Sequence, residues 1–294
     1  MLAFIWLATA AVLAEAEKPS IVIFILGQSE PRREEAAKAL ELEESILKQN
    51  APNLCTLRVF HSTQPPFADS WGDFTIWVAL PRLAEAVSES KPDWLLVLDE
   101  SSRLHLPRLL QFISASAQPD NYYGHALYDK EPTIIHHYHM DAKFAFPDFA
   151  GGLLFAWPLV QSLVSGLKDG KMPRDFTIDP KHELAMLLWK DGKGVALTPA
   201  NEAFCTLAND DPEHCVVVYQ PPKPCPIPPN FLDSIAFAVK THSGYHQDRV
   251  AVVKRTWGRE VRHMEYFSDK EDERIPTVDL GVPNVERGHC EKTV

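Results

Sequence analysis

Short apolar runs alternate along this chain with amphipathic stretches, a pattern typical of strands that are each followed by a helix. Residues 21–26 (IVIFIL) form a continuous apolar run, as expected of a strand buried on both faces of a parallel sheet. Residues 31–49 open with a proline and acids, and Ala36, Leu40 and Leu47 are spaced along one predicted helix face. This β–α unit predicts a layered α/β fold.

The same alternation continues through the first two thirds of the chain. Further predicted elements are, in chain order, a strand at 57–62, a helix at 81–90, a strand at 94–98, a helix at 107–113 and a helix at 182–190. Pro81 and Pro107 are expected at the first turns of their helices, where a missing N–H is tolerated. Residues 146–158 carry a Gly-Gly pair before an apolar segment, which predicts a buried element.

A change in composition divides the chain. Residues 220–230 (QPPKPCPIPPN) contain six prolines, which regular helices and central strands exclude, and this predicts an extended linker between a first domain at 20–219 and a second at 231–294. Residues 234–261 repeat the plan of strand, polar loop and helix, and 263–269 resemble a second strand. The sequence stops before a third strand with an acid cluster, so we expect the second domain to be an incomplete copy.

The first residues predict a protein that enters the secretory pathway. An apolar stretch at 2–14 leads to Ala14 and Ala16, which fits a signal peptide at 1–16, and the alternative is a buried first strand. The stretch is too short to span a membrane. Five cysteines then have access to an oxidising compartment, and three of them at 205–225 predict local pairing. The last four residues are not a retrieval tetrapeptide.

Net charge narrows the range of partners. The formal charge of −11 provides no general basic surface for phosphate backbones, so we expect no nucleic-acid partner. A sugar, a nucleotide or another protein remains compatible with this charge.

Acids stand at the end of a predicted buried strand. Asp99 and Glu100 follow the run WLLVL, and ligands of open α/β sheets bind beyond the carboxyl ends of strands. Acids in this position can hold a divalent cation that bridges a diphosphate and stabilises a departing nucleotide. The alternative is that they cap the turn that follows.

Two further groups carry candidate chemistry. Asp175 or Asp179 is a candidate general base toward a sugar hydroxyl, although Asp179 before Pro180 is also well placed to cap a helix. His137 and His139 would share one face of a strand and form a metal pair, against the alternative of a polar strand or loop.

The run His182–Glu183 begins like the helix of a zinc protease. Met186 stands where the second histidine is needed, which excludes that site.

Several long motifs carry a family resemblance. Residues 237–257 (FAVKTHSGYHQDRVAVVKRTW), followed by YFSD, resemble the beginning of a domain of the fringe-like β-1,3-glycosyltransferase family. The segments TIIHHYHM, FPDFAGG, DFTIDPKHELAMLLW and IPTVDLGVPNVERGHCEKT are similar to the branch of that family that adds glucose to O-linked fucose on thrombospondin type 1 repeats.

The resemblance implies a hexosyltransferase of the endoplasmic reticulum lumen with two glycosyltransferase-A-like, Rossmann-like domains, the first degenerate and the second catalytic. Such an enzyme transfers glucose from UDP-glucose to the 3-hydroxyl of protein-linked fucose and uses a divalent cation such as manganese. Its partners are UDP-glucose and O-fucosylated thrombospondin type 1 repeat proteins.

The resemblance also assigns residue positions. Asp175 falls on the catalytic base position of the degenerate domain, with Arg174 where the family carries an acid. Asp99, Glu100 and Ser101 stand where the family has three aspartates, which implies a remnant of the metal site.

Thr241 and Asp269 fall on donor-binding loop positions of the second domain, with Ser243 where relatives carry arginine. Because the sequence stops before the second domain's own acids and base, we expect little or no activity from this chain. The alternative is a non-catalytic acceptor-recognition module or an incomplete product of the enzyme.

Overall fold

The structure is a computed structural model that describes residues 18–27, 33–67, 72–138, 143–167, 178–206, 213–221, 228 and 231–285. The predicted signal peptide at 1–16 lies outside this range. The chain divides into two compact units, Met1–Pro222 and Lys223–Val294. Among the described residues, no helix has both the length and the apolar character that crossing a membrane requires.

The first unit alternates strands and helices as the hydrophobic pattern predicts. Its elements are β1 (Ser20–Leu26), α1 (Arg33–Gln49), β2 (Thr56–His61), α2 (Thr75–Ala86), β3 (Trp94–Asp99), β4 (Ser102–Leu104), α3 (Leu106–Ala115), β5 (Tyr122–Leu127), β6 (Phe146–Ala156), α4 (Trp157–Gly166), α5 (Pro180–Trp189), β7 (Thr198–Pro199), β8 (Phe204–Cys205) and β9 (Val217–Tyr219). The predicted α/β class is therefore confirmed.

A six-stranded mixed sheet forms the centre of this unit, in the order β2-β1-β3-β6-β5-β7. Strands β1, β2 and β3 are parallel, whereas β6 runs antiparallel to both β3 and β5. The carboxyl ends of β1, β2, β3 and β5 therefore meet the start of β6 along one edge of the sheet. Polar residues that follow these strands are brought together there.

Helices cover both faces of the sheet, which explains the uninterrupted apolar runs. Along β1, Val22, Phe24 and Leu26 pack into one core with α2, α4 and α5. The alternate residues Ile21, Ile23 and Ile25 pack into a second core with α1 and α3. Successive side chains of one strand thus supply two separate cores.

Helix α1 buries a different face from the predicted one. Ala39, Leu42 and Ile46 are buried against the sheet, while Leu40 and Leu47 are 50% and 49% exposed. Two overlapping apolar stripes run along this helix, and the packing partners on β1 and β3 select the stripe that contains the β-branched Ile46.

Helix α2 begins six residues before the predicted start, so Pro81 lies inside the helix rather than at its first turn. Ile76, Trp77 and Leu80, which precede or adjoin the proline, are buried in the core. This burial outweighs the cost of the hydrogen bond that the proline removes.

A small sheet in the order β4-β9-β8 lies beside the carboxyl edge of β3. The disulfide Cys205–Cys215 joins β8 to the residues that precede β9, which confirms local pairing within 205–225. Cys55 is free and buried.

The described residues of the second unit form a parallel three-stranded sheet in the order β10-β11-β12 and one α-helix. Its elements are β10 (Ala236–Lys240), α6 (Arg249–Arg255), β11 (His263–Ser268) and β12 (Thr277–Asp279). The predicted order of strand, polar loop, helix and strand is observed, and β12 is an additional short strand that the sequence interpretation did not include. Val250, Tyr266 and Ile275 form its small core.

Gly152 in β6 gives a test of this architecture. Its φ of +86° disfavours side chains, and an added Cβ would lie 3.2 Å from Val217 and 3.3 Å from Leu98. We expect Gly152→Ala to lower the free energy of unfolding by about 1–3 kcal/mol, measured by urea denaturation. Gly166→Ala, at the end of α4 with open space around it, is the control and should not be destabilising. Equal unfolding midpoints for Gly152→Ala and the wild type would contradict this description of β6.

Candidate functional site

Asp99 and Glu100 lie at the carboxyl end of β3, in the centre of the strand edge described above. Both residues are buried. The Glu100 N–H donates to the Leu26 carbonyl at 3.0 Å, which joins the ends of β3 and β1. The backbone N–H of Gly27 donates to Ser62 Oγ at 2.7 Å, so the three parallel strand ends are linked by hydrogen bonds.

The Asp99 carboxylate makes a local contact. Its Oδ1 accepts a hydrogen bond from the Ser101 N–H at 2.7 Å, and the Ser101 carbonyl accepts one from the N–H of Gln220. This is the turn-capping geometry that the sequence offered as the alternative to a cation ligand. The turn leads the chain into β4.

A lysine ammonium lies among other acids of this edge. Lys181 Nζ is 3.4 Å from Asp148 Oδ1 on β6 and 3.7 Å from Asp73 Oδ2 before α2. Burial of the ammonium acts to lower the pKa of Lys181, but the charges of Asp148, Asp73 and Asp179 outweigh it and raise the pKa. Lys181 therefore stays cationic and balances part of the acidic charge. We name Asp73, Asp99, Glu100, Asp148 and Lys181 the acidic edge.

The same charges affect the pKa of Tyr219, at the end of β9. Burial raises the pKa of its hydroxyl, the charges of Asp99 and Asp148 raise it further, and Lys181 opposes them. Charged groups of β3, β6 and α5 therefore all act on the hydroxyl of Tyr219.

A second group of polar side chains follows β5 and continues into α5. Asp129 Oδ2 lies 2.7 Å from Nδ1 of His136, and Asp179 Oδ2 lies 3.1 Å from Nε2 of the same ring. The rings of His136 and His182 are stacked, with centroids 4.1 Å apart. We name Asp129, His136, Asp179 and His182 the histidine cluster.

Asp179 joins the histidine cluster to α5. Its Oδ1 accepts from the Lys181 N–H at 2.9 Å, which confirms the predicted N-cap of this helix. Its other oxygen contacts His136, so one carboxylate orients both a helix terminus and an imidazole.

The strand geometry that would pair His137 with His139 is not observed in the described part of this segment, which agrees with the alternative of a polar loop. Residues Ile134–His136 form a 3-10 turn, and His137 has a left-handed backbone with φ of 55°. His137 Nε2 instead lies 2.7 Å from Glu183 Oε1 on α5. His139 lies outside the described residues.

Within the part of the chain that the structure describes, three side chains able to bind one metal ion come together at Asp129, His136 and His182. Asp99 and Glu100 do not belong to such a group. With one carboxylate oxygen of Asp99 engaged in a turn and Lys181 bound to neighbouring acids, the described residues of the acidic edge do not fit the full ligand set of a divalent cation. The proposed base, Asp175, lies outside the described residues.

Thr241 and Asp269 lie in the loops after β10 and β11. The Thr241 N–H donates to the Phe267 carbonyl at 2.8 Å and continues the strand pairing. Asp269 Oδ1 accepts from the Ser243 N–H at 2.7 Å, and its Oδ2 lies 3.3 Å from Ser243 Oγ. Asp269 thus holds the Ser243 loop in place, and its predicted role toward a donor stays a prediction.

Sequence reasoning did not single out five members of these groups: Asp73, Asp129, His136, Asp148 and Lys181. It considered His182 only within a zinc-protease motif that it excluded. Asp148 and Lys181 lie in motifs that the sequence did single out, FPDFAGG and the helix after Pro180. Their pairing depends on the antiparallel course of β6, for which the hydrophobic pattern gives no signal.

The amino-acid sequence is similar to those of known proteins. Residues 231–294 match a family described as fringe-like. The chain is 39% identical over 280 residues to a mouse β-1,3-glucosyltransferase, across 92% of this chain and 55% of the mouse protein. It is 38% identical over 279 residues to a human β-1,3-glucosyltransferase, across 92% of this chain and 54% of the human protein. The chain therefore spans about half the length of these relatives.

A solved structure also aligns with the chain. It is a glycosyltransferase involved in the glycosylation of the major capsid of PBCV-1, with 11% identity and a TM-score of 0.42 over 68% of this chain and 92% of that one.

The ion pairs of Lys181 generate a pH-dependent prediction. Since the folded-state pKa lies above the ordinary 10.5, the stabilisation is complete below pH 10.5 and is lost as the pH rises through the folded-state value. We expect Lys181→Gln to lower the free energy of unfolding by about 1–2 kcal/mol at pH 8, a difference that shrinks above pH 10.5.

Urea unfolding at pH 8 and at a pH above 10.5 measures this difference. Lys193→Gln, at an exposed lysine, is the matched control. A difference that is absent at pH 8, or as large for Lys193→Gln, would contradict the role given to Lys181.

Proposed function

We propose that this chain, which resembles a fringe-like family over residues 231–294, is part of a β-1,3-glucosyltransferase that extends protein-linked fucose. The donor is UDP-glucose and the acceptor is O-fucose on thrombospondin type 1 repeats. Identity to two proteins named β-1,3-glucosyltransferase across 92% of the chain is the observation that carries this proposal. The proposed catalytic cation of the enzyme is manganese.

The first unit, in this proposal, does not carry out transfer. A catalytic cation site needs several carboxylates directed at one ion. Here Asp148 and Asp73 pair with the Lys181 ammonium, and Asp99 caps a turn. These contacts support the interpretation of Asp99 and Glu100 as the remnant of a metal site.

The second unit contributes the donor side. Thr241 and Asp269 follow neighbouring parallel strands, where α/β sheets bind their ligands. Asp269 already orients the Ser243 loop, so a nucleotide would meet a loop with fixed geometry. In this proposal the domain boundaries are those predicted, with a linker at 220–230.

We propose that the first unit recognises the acceptor protein. Its 128–138 segment and the residue before Asp179 expose large apolar side chains: Tyr128, Ile134, Ile135, Tyr138 and Ile178. Tyr138, at 65%, is the most exposed of them. Exposed apolar side chains next to polar groups are a common feature of protein-binding surfaces.

The proposed location is the lumen of the endoplasmic reticulum. The predicted signal peptide at 1–16 and the disulfide Cys205–Cys215 support entry into an oxidising compartment.

Assays of glucose transfer and of acceptor binding distinguish a catalytic role of this chain from a recognition role. We expect the purified 294-residue chain to bind a fucosylated thrombospondin repeat, measured by calorimetry, without transferring labelled glucose from UDP-glucose in the presence of manganese. Transfer that disappears in Asp175→Asn would show that the first unit is catalytic. Absence of both binding and transfer would contradict the recognition role.

A surface variant tests the binding face. We expect Tyr138→Ser to weaken repeat binding about tenfold or more, because an exposed aromatic anchor of an interface contributes on this scale. Val252→Ser in the second unit, also an exposed apolar position, is the control and should bind like the wild type. Equal affinity for Tyr138→Ser and the wild type would rule out this face.

A further inference from the structure

We propose that Asp129, His136 and His182 form a binding site for one transition-metal ion, with zinc as the preferred metal. The site is distinct from the acidic edge and does not depend on the proposed function. Two imidazoles and one carboxylate are a donor set that zinc and its neighbours in the first transition series bind in proteins.

Distances between the ligand atoms are close to those that a single ion requires. One atom from each of the three side chains lies within 4.8 Å of the other two. Two ligands of a tetrahedral zinc ion lie about 3.4 Å apart, so the widest pair closes by up to about 1.4 Å. Rotation of the side chains, with that of His182 the largest, covers this distance.

His136 has the surroundings of a metal ligand. Its Nδ1 faces Asp129 Oδ2 at 2.7 Å, and its Nε2 faces Asp179 Oδ2 at 3.1 Å. When Nδ1 binds the ion, Nε2 keeps its proton and donates to Asp179. A carboxylate on the second nitrogen is the common partner of a metal-bound histidine, and it fixes the orientation of the ring.

Asp179 is itself held in place, because its other oxygen caps α5. The orientation of the His136 ring is therefore fixed from the helix terminus. This gives Asp179 the part of a positioning residue rather than of a ligand.

Apolar side chains enclose the two imidazoles. His136 and His182 are both buried, and the Phe146 ring meets each of them edge-on, at 4.9 and 5.4 Å between centroids. Phe144 meets His182 at 5.3 Å in the same way. Asp129 is only partly buried, which leaves a route for the ion. Coordination turns the His182 ring out of its stacked arrangement with His136.

An ion here would join two segments that are far apart in the chain, 128–138 and the start of α5. Asp129 follows β5, His136 belongs to the 3-10 turn, and His182 lies in the first turn of α5. The ion therefore anchors the segment 128–138 to α5, beside the contact between His137 and Glu183.

A competition titration tests the site on the full chain. The metal-free protein is titrated with zinc against a chromophoric chelator, and we expect one equivalent to bind. Asp129→Asn and His136→Gln should each weaken zinc binding by at least about tenfold. His61→Gln is the matched control, because His61 is a buried histidine that also contacts a carboxylate, at 2.7 Å from Glu43, but lies outside the histidine cluster.

X-ray absorption on the zinc-loaded wild type gives a readout that needs no variant, and we expect the scattering of two imidazoles. Failure to bind one equivalent, loss of affinity in His61→Gln equal to that in His136→Gln, or a zinc environment without imidazole would each overturn the proposal.

Discussion

Neutralisation of acids where parallel strands end is the constraint on which the first unit depends. The topology brings Asp99, Glu100 and Asp148 to one edge of a sheet whose two faces are already covered by helices. Carboxylates that lie at one sheet edge and are partly removed from water need a cation or hydrogen-bond donors. Lys181 supplies a cation from within the chain, and backbone N–H groups supply part of the rest.

Helix α5 combines these requirements in its first turn. Asp179 caps the helix and contacts His136, Lys181 pairs with Asp148, and His182 stacks on His136. Asp179, Lys181 and His182 thus connect the acidic edge to the histidine cluster. Only Pro180 interrupts this run of polar residues.

The sequence predicted the fold class and most elements, because apolar periodicity reports burial on one or both faces. The prediction of the buried face of α1 was wrong because the helix has two apolar stripes. Packing buries the stripe that contains Ile46 and leaves Leu47 exposed. Sequence reasoning also failed at Pro81, where burial of Ile76 and Trp77 extends α2 before the proline. Asp99, Glu100 and the Asp179 cap could be found from local sequence alone. The contacts of Lys181 with Asp73 and Asp148 could not, since they join residues from distant parts of the chain. The contact of Asp129 with His136 is local, but it depends on a 3-10 turn where the sequence was interpreted as a possible strand.

Uptake of manganese in the presence of UDP tests the central claim most directly, namely that the first unit balances its acidic edge without a bound cation. Electron paramagnetic resonance counts free manganese while the full chain is added, for the wild type and for Asp99→Asn. The account predicts the same uptake for both proteins. UDP-dependent uptake by the wild type that disappears in Asp99→Asn would show that the end of β3 is a working cation site and would contradict the account.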